Sequence, residues 1–554
     1  MNPVSASSSL VSRRRSDVLA VLAFLALAAG ASLLVRPVQD VPLIDDWTYA
    51  WSVEHLQQTR RLAVLPWSVH YAFPQILWAW PFVAVSGFSF VALRLSTLLL
   101  GWVASLALFA ILRVGGVATP AALVGTLAFF FTPVFFFLEH SFMTDVPYLA
   151  AVNLTLLCYA LWVSRARLSW LVLGGFFGIA AFLVRQVGLV VLFVPVVHLM
   201  LSRPALLRRP AVLLAAAIPI PLTIAAWWGM QRVVGVSWKY AEMSSIVATR
   251  VSPARWLTSD AWGEAFMLVL HLLVSTGLVL APLTMVALAA TRHRAVRWTA
   301  IAAAVAAAAL VAVGRLPDPL HSGQVLSAAE LGLSRSLIRR AADPWPPFST
   351  TMIAVISSAS FVSGAVAVGA TALAGRNRVG GLLITSMLAH VGAAAVALLI
   401  HDRYYLPLLP ALIFGLVRVI PSRTWMVVAG VLVTGSLGAV AITGTIDAFR
   451  FNEALARERT QLLSRGVRPQ DIDAGYVFNG WWLYAHDLVD KEDVPFVTSR
   501  RSSPYTLATT PLAGYVVEKV VLVPVVWSRP DRFYVVRRTG EKDRPGDDDS
   551  LRLR

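Results

Sequence analysis

At 554 residues, 57% hydrophobic and 14% charged, with mean hydropathy +0.69 and formal net charge +17, the chain is far too apolar for an ordinary soluble domain. Its basic residues lie mostly between apolar segments, which points to membrane topology and away from a nucleic-acid-binding face. The single cysteine, Cys158, falls inside an apolar run, which excludes an intramolecular disulfide and a cysteine metal site.

The first apolar stretch, 17–35, follows Arg13, Arg14 and Arg15 and is long enough to cross a hydrocarbon core of ~30 Å. It reads as a retained first helix; a signal peptide cleaved near Ala31-Ser32 is the alternative. Further apolar segments follow at 91–112, 119–138, 144–163, 169–184, 187–201, 211–234, 262–290, 297–314, 349–373, 379–400, 404–417 and 424–445. The expectation is an α-helical polytopic membrane protein of about thirteen transmembrane helices.

With the amino terminus inside, the inner loops hold Arg113, then Arg165 and Arg167, then Arg203, Arg208 and Arg209, then Arg292, Arg294 and Arg297, then Arg376 and Arg378, then Arg418 and Arg423, with no Asp or Glu among them. That alternation is the positive-inside bias. The same order puts Asp45, Asp46, Glu54, Glu139, Asp145, Asp260 and Glu264 outside, together with everything after residue 445.

The first outer loop, 36–90, carries "PLIDDWTYAWSVEHL" and an aromatic series, Trp47, Tyr49, Trp51, Trp67, Tyr71, Trp78 and Trp80, broken by Pro66, Pro74 and Pro81. Two or three short interfacial helices are expected. The plain role for Asp45 or Asp46 is to cap the helix starting near Trp47. The next outer loop, "EHSFMTDVPYLAA", brings Glu139, His140 and Asp145 to the same membrane level, with Asp145 a second candidate cap. Cations join them at outer turns: Arg185-Gln186 in "GIAAFLVRQVGLVVLFVP", and His401, Asp402, Arg403 and Tyr404 in "LLIHDRYYLPLLPAL". A guanidinium suits a phosphate because its planar fork donates two parallel hydrogen bonds; the plain alternative for each arginine is snorkelling to lipid headgroups.

The motifs "LIDDWTYA", "FVALRLSTLLLG", "MTDVPYLA", "FLVRQVGLVVLFVP" and "DRYYLPLLPAL", in this order over 41–415, resemble the GT-C class of membrane glycosyltransferases, in particular the bacterial relatives of the protein mannosyltransferases and of the lipid A aminoarabinose transferase. The resemblance implies a glycosyltransferase that moves a sugar from a polyprenyl phosphate to an acceptor at the extracytoplasmic face, with inversion at the anomeric carbon. It implies catalytic roles for Asp45, Asp46 and Asp145: one of the first pair accepts the acceptor's proton, and Asp145 supports acceptor or sugar. Substrate contacts would come from Arg185, Gln186, Glu139, His140, His401, Arg403 and Tyr404. No metal site and no cofactor are predicted, although clustered carboxylates are able to hold a divalent cation. The chain departs from the family where "HYAFPQILWAW" has His70 and Tyr71 but no lysine, and where Arg185-Gln186 replaces Lys-Gly; Lys239 and Tyr240 are substitutes for the missing phosphate contact. The expected partners are the lipid-linked sugar donor, membrane lipids and a glycan, lipid or protein acceptor, with no nucleic acid; the expected location is a bacterial plasma membrane.

After residue 445 the composition changes. "IDAFRFNEALARERTQLLSRGVRPQ" reads as an amphipathic helix, followed by β-like runs in "AGYVFNGWW", "GYVVEKVVLVPVVW" and "RFYVVRR". A small extracytoplasmic α/β domain over 446–540 and a disordered tail over 541–554 are expected after a membrane domain of 1–445. A transporter is the main rival, yet charges at helix ends and no repeated halves argue against it. A glycan polymerase or ligase would use one large late loop, for which 315–347, with Asp318, His321, Glu330 and Arg335, is available.

Overall fold

The structure is a computed structural model that describes residues 3–319, 349–397, 402–421, 423–488, 503–526 and 531–539. His401, the loop residues His321, Glu330 and Arg335, and the tail 541–554 lie outside the described residues. The helices run α1 (Pro3–Val35), α2 (Asp46–Thr59), α3 (Phe73–Ser86), α4 (Phe90–Val114), α5 (Thr119–Phe130), α6 (Pro133–Glu139), α7 (Asp145–Arg165), α8 (Leu168–Val184), α9 (Leu189–Ser202), α10 (Pro204–Leu207), α11 (Pro210–Ala217), α12 (Pro219–Val234) and α13 (Trp238–Val251). They continue with α14 (Ser259–Ala290), α15 (Arg294–Ala312), α16 (Thr350–Ala374), α17 (Arg378–Ala397), α18 (Leu409–Val419), α19 (Arg423–Leu432), α20 (Gly438–Ser464) and α21 (Tyr476–Asn479).

Among the described residues nine helices are long and apolar enough to cross a membrane, counting α11 with α12 and α19 with α20 as single spans. The pair α5 and α6, bent by 71° where Pro133 follows Thr132, makes a tenth if it is one span; α8 and the segment Gln186–Ser202 are shorter apolar helices. All thirteen apolar segments read from the sequence have helical counterparts. The first outer loop forms two helices, α2 and α3.

The bundle has two chemically distinct ends. At one, Asp17 accepts from Arg113 Nε at 2.7 Å and from Thr119 at 2.6 Å, while Asn377 and Arg418 both donate to the Gly115 carbonyl, at 3.2 and 3.0 Å. This gathers the start of α1 and several basic loops. At the other, Asp40 accepts from the Phe90 amide at 2.6 Å, and the α1–α2 connection is pinned by Arg94, whose guanidinium donates to the Gln39 and Val41 carbonyls. In the interior, α14 and α16 approach through small residues: a Cβ on Gly277 would lie 1.8 Å from the Ser360 carbonyl oxygen, and one on Gly364 2.3 Å from that of Leu273.

Four strands, β1 (Ile472–Asp473), β2 (Tyr505–Ala508), β3 (Tyr515–Leu522) and β4 (Arg532–Arg538), form one sheet in the order β1-β2-β4-β3. β1 pairs parallel with β2, β4 pairs antiparallel with β2 and β3, and β3 is bulged between Val517 and Lys519. Two expectations change here. Within the run 474–482 the chain is helical from Tyr476 onward rather than β, because Gly475 (φ +84°) turns the chain and the Asn479 side chain closes the turn by accepting from Ala474 N and donating to Asp473. The amphipathic helix after 445 has no start of its own: helix continues through a π segment, Val433–Leu437, from Arg423 to Ser464, so the expected boundary at 445/446 falls inside it. That helix carries the sheet through Phe451 against Phe533 and the Lys519–Glu458 ion pair at 2.7 Å.

Candidate active site

The turn before α2 separates the roles of the two aspartates. Ile44 takes a left-handed conformation (φ +54°), costly for a β-branched residue and held by the bonds that Arg94 makes to the preceding segment. Asp45 occupies the N-cap position, but its side chain makes no capping bond; only its carbonyl does so, accepting from Thr48 N and Oγ1. Its carboxylate turns outward, is only partly buried, and accepts from the Tyr476 hydroxyl at 2.5 Å. Asp46 is fully buried, and its oxygens accept from Leu43 N at 2.7 Å and Phe142 N at 3.4 Å. Burial pushes its carboxyl up to about 7, against the opposing pull of Arg94 and the two amides.

A second group forms where α7 begins and α8 ends. Asp145 is buried and receives two guanidinium groups, Arg185 on Oδ1 and Arg403 on Oδ2, the latter at 3.4 Å. Arg185 also lies over the ring of Tyr404, 5.8 Å from its centre. Its neighbour Gln186 accepts through Oε1 from His70 Nδ1 at 2.6 Å, which leaves Nε2 as the acceptor nitrogen. Burial, with Arg185 next in effect, pushes His70 down to about 3, so it is a neutral imidazole at any ordinary pH. Tyr49 ties the groups together: it is held un-ionised by burial and feels the charges of Asp45, Arg185, Arg403 and Asp145. The structure thus brings Asp45, Asp145, Arg185, Gln186, Arg403 and Tyr404 to one end of the bundle.

Among the described residues Glu139 and His140 make no hydrogen bond or ion pair with Asp145, Arg185 or Arg403, although Phe142, just after them, donates to Asp46. Glu139 is fully buried against Gly101 with no hydrogen-bond partner, and His140 bonds to the Phe136 carbonyl at 2.7 Å and to Ser32 on α1 at 3.2 Å. Their neighbours are thus α1, α4 and their own helix. Lys239 is paired with Glu242 at 2.6 Å and lies over Trp67 and Trp238. Trp481 packs on Phe88 and Phe90, with ring centres 5.5 and 5.0 Å away.

Tyr476 is the residue sequence reasoning missed. It arrives from 431 positions away, accepts from Trp67 Nε1 at 2.9 Å and donates to Asp45. Gly480 lets this segment descend onto Trp47, where any Cβ would meet the indole at 2.3 Å. Trp47, Trp67, Trp238, Tyr476 and Tyr484 form a continuous aromatic cluster over the aspartates. Among the described residues no three His, Cys, Asp or Glu side chains are grouped to hold a metal ion.

Residues 74–228 match the family model described as dolichyl-phosphate-mannose-protein mannosyltransferase. Over that stretch the chain resembles the protein mannosyltransferases. The matched stretch contains Asp145, Arg185 and Gln186, whereas Asp45, Asp46, Arg403 and Tyr476 lie outside it. Among solved structures, the chain aligns with two crystal structures of ArnT from Cupriavidus metallidurans. The form bound to undecaprenyl phosphate is 14% identical with a TM-score of 0.43, covering 93% of this chain and 97% of that one. The apo form is 14% identical with a TM-score of 0.40, covering 96% and 98%. Curated proteins give no significant match.

Proposed function

We propose that the protein is a glycosyltransferase that takes a sugar from a polyprenyl phosphate and passes it to an acceptor hydroxyl, with inversion, at the extracytoplasmic face of a membrane. The observation that carries this reading is a partly exposed carboxylate, Asp45, that shares Tyr49 as an electrostatic neighbour with two arginines gathered on one buried carboxylate, Asp145. The match to a mannosyltransferase family model over 74–228 supports it independently.

In this reading Asp45 is the base and accepts the acceptor's proton. The freed oxygen attacks the anomeric carbon from the face opposite the leaving group. The bond from that carbon to the phosphate oxygen breaks, and the lipid phosphate departs with the electron pair. Arg185 and Arg403, already ordered by Asp145, stabilise the charge that grows on that oxygen without reorganising. Asp46 instead holds the loop, since both of its oxygens are committed to backbone amides. The basic loops at the opposite end support an extracytoplasmic placement of the site through the positive-inside bias.

The test is transfer of labelled sugar in native membranes from a panel of polyprenyl-phosphate sugars. Asp45→Asn should lower transfer by at least about 100-fold at unchanged protein level, in the range general-base catalysis supplies. No donor-dependent transfer by the wild type, or full activity in Asp45→Asn, would overturn the reading.

A further inference from the structure

A cavity of about 780 Å³ opens at the basic end of the bundle, between the carboxy-terminal ends of α7 and α9 and the start of α17. One wall is apolar and reaches the outer surface of the bundle through Phe193, Leu201 and Leu388, which are 43%, 78% and 60% exposed. Its polar edge carries Arg203, Arg376 and Arg378, and no carboxylate lines it. Among the described residues none of these three guanidinium groups makes an ion pair or a side-chain hydrogen bond. Elsewhere the protein does pair such groups, as Arg113 with Asp17.

Unpaired arginines in a loop are by themselves only a topological signal. His198 is a second and different observation. It lines the cavity and is 7% exposed, its backbone carbonyl accepts from the Ser202 hydroxyl at 2.6 Å, and its ring makes no hydrogen bond among the described residues. Neither ring nitrogen is sealed off, so the imidazole is open to a ligand in the cavity. The first amides of α17 do not compete for that ligand, because the Asn377 side chain already accepts from Val379 and Gly380 at 2.9 and 3.3 Å.

We infer that this cavity holds an anionic glycerophospholipid, its phosphate between Arg203, Arg376, Arg378 and His198 and an acyl chain along Phe193, Leu201 and Leu388. The shape argues for a lipid rather than a free anion: charge is confined to one edge, and the remaining wall opens onto surface suited to lipid tails.

Native mass spectrometry of the full chain in detergent tests this, with palmitoyl-oleoyl phosphatidylglycerol, the matching phosphatidylcholine and inorganic phosphate as probes. The wild type should retain phosphatidylglycerol over phosphatidylcholine. Replacing Arg203, Arg376 and Arg378 with Gln together should weaken retention at least about tenfold, whereas Arg208→Gln with Arg209→Gln, from the same loop but outside the cavity, should leave it unchanged. Leu388→Trp keeps every charge and changes only an exposed position, so it decides the matter if the triple variant fails to fold; it should also weaken retention by filling the apolar wall. Equal retention of both lipids, loss that is the same for the two arginine sets, unchanged binding in Leu388→Trp, or displacement by inorganic phosphate at the lipid's own concentration would overturn the assignment.

Discussion

Asp45 and Asp46 are chemically identical neighbours given opposite surroundings. For Asp46 the unfolded carboxyl ionises near 3.8 and the folded one near 7. Between those values the folded chain holds a proton that the unfolded chain has lost, so stability falls as pH rises through about 4 to 7 and levels off above. Asp46→Asn should flatten that slope, read as melting temperature against pH by tryptophan fluorescence in detergent. Tyr476→Phe should act differently, slowing transfer by roughly fivefold to thirtyfold with little change in melting temperature, since it removes one hydrogen bond to a carboxylate, a contribution of about 1–2 kcal/mol. The sequence indicated that this acidic pair matters but could not separate its members. Their difference depends on the left-handed turn at Ile44 and on an amide donated by Phe142, 96 positions away.

Helices and strands were legible to different degrees, for a physical reason. Hydrophobic segments of membrane length announce themselves because the bilayer demands continuous apolar helix. The run 474–482 is rich in residues that favour strands, and it became helix through local turn chemistry at Gly475 and Asn479 and through burial against Trp47. The sequence placed Glu139 and His140 with the outer-loop acids, and the 71° bend between α5 and α6 gives them α1 and α4 as neighbours. Close helix contacts were likewise hidden, since a glycine in an apolar run does not say what it faces. Gly277→Ala forces a methyl into the backbone of α16 and should destabilise the protein by on the order of 2 kcal/mol or more, seen as a lower melting temperature.

At the scale of the whole molecule, the charge alternation in the sequence and the contacts in the structure divide the chain in the same way. Basic loops converge around Asp17 and Gly115, and the candidate site lies at the other end. Cys158 is buried and is the sole cysteine, which makes the chain a clean background for labelling. In intact cells, a membrane-impermeant maleimide should label Arg468→Cys, in the carboxy-terminal unit, and spare Arg208→Cys until the membrane is opened. The reverse pattern would invert the proposed topology.

The helix from Arg423 to Ser464 gives this architecture a mechanical character. Its 42 residues amount to roughly 60 Å of rod at a rise of 1.5 Å per residue, about twice the thickness of a hydrocarbon core. The apolar half is the one fit to lie in a membrane, and the sheet rides on the other. A tilt of about 10° would therefore sweep the upper end sideways by roughly 5 Å, more than enough to part a hydroxyl from a carboxylate. Bilayer thickness sets the tilt of such a rod, so the lipid environment itself becomes a lever on the contact between Tyr476 and Asp45.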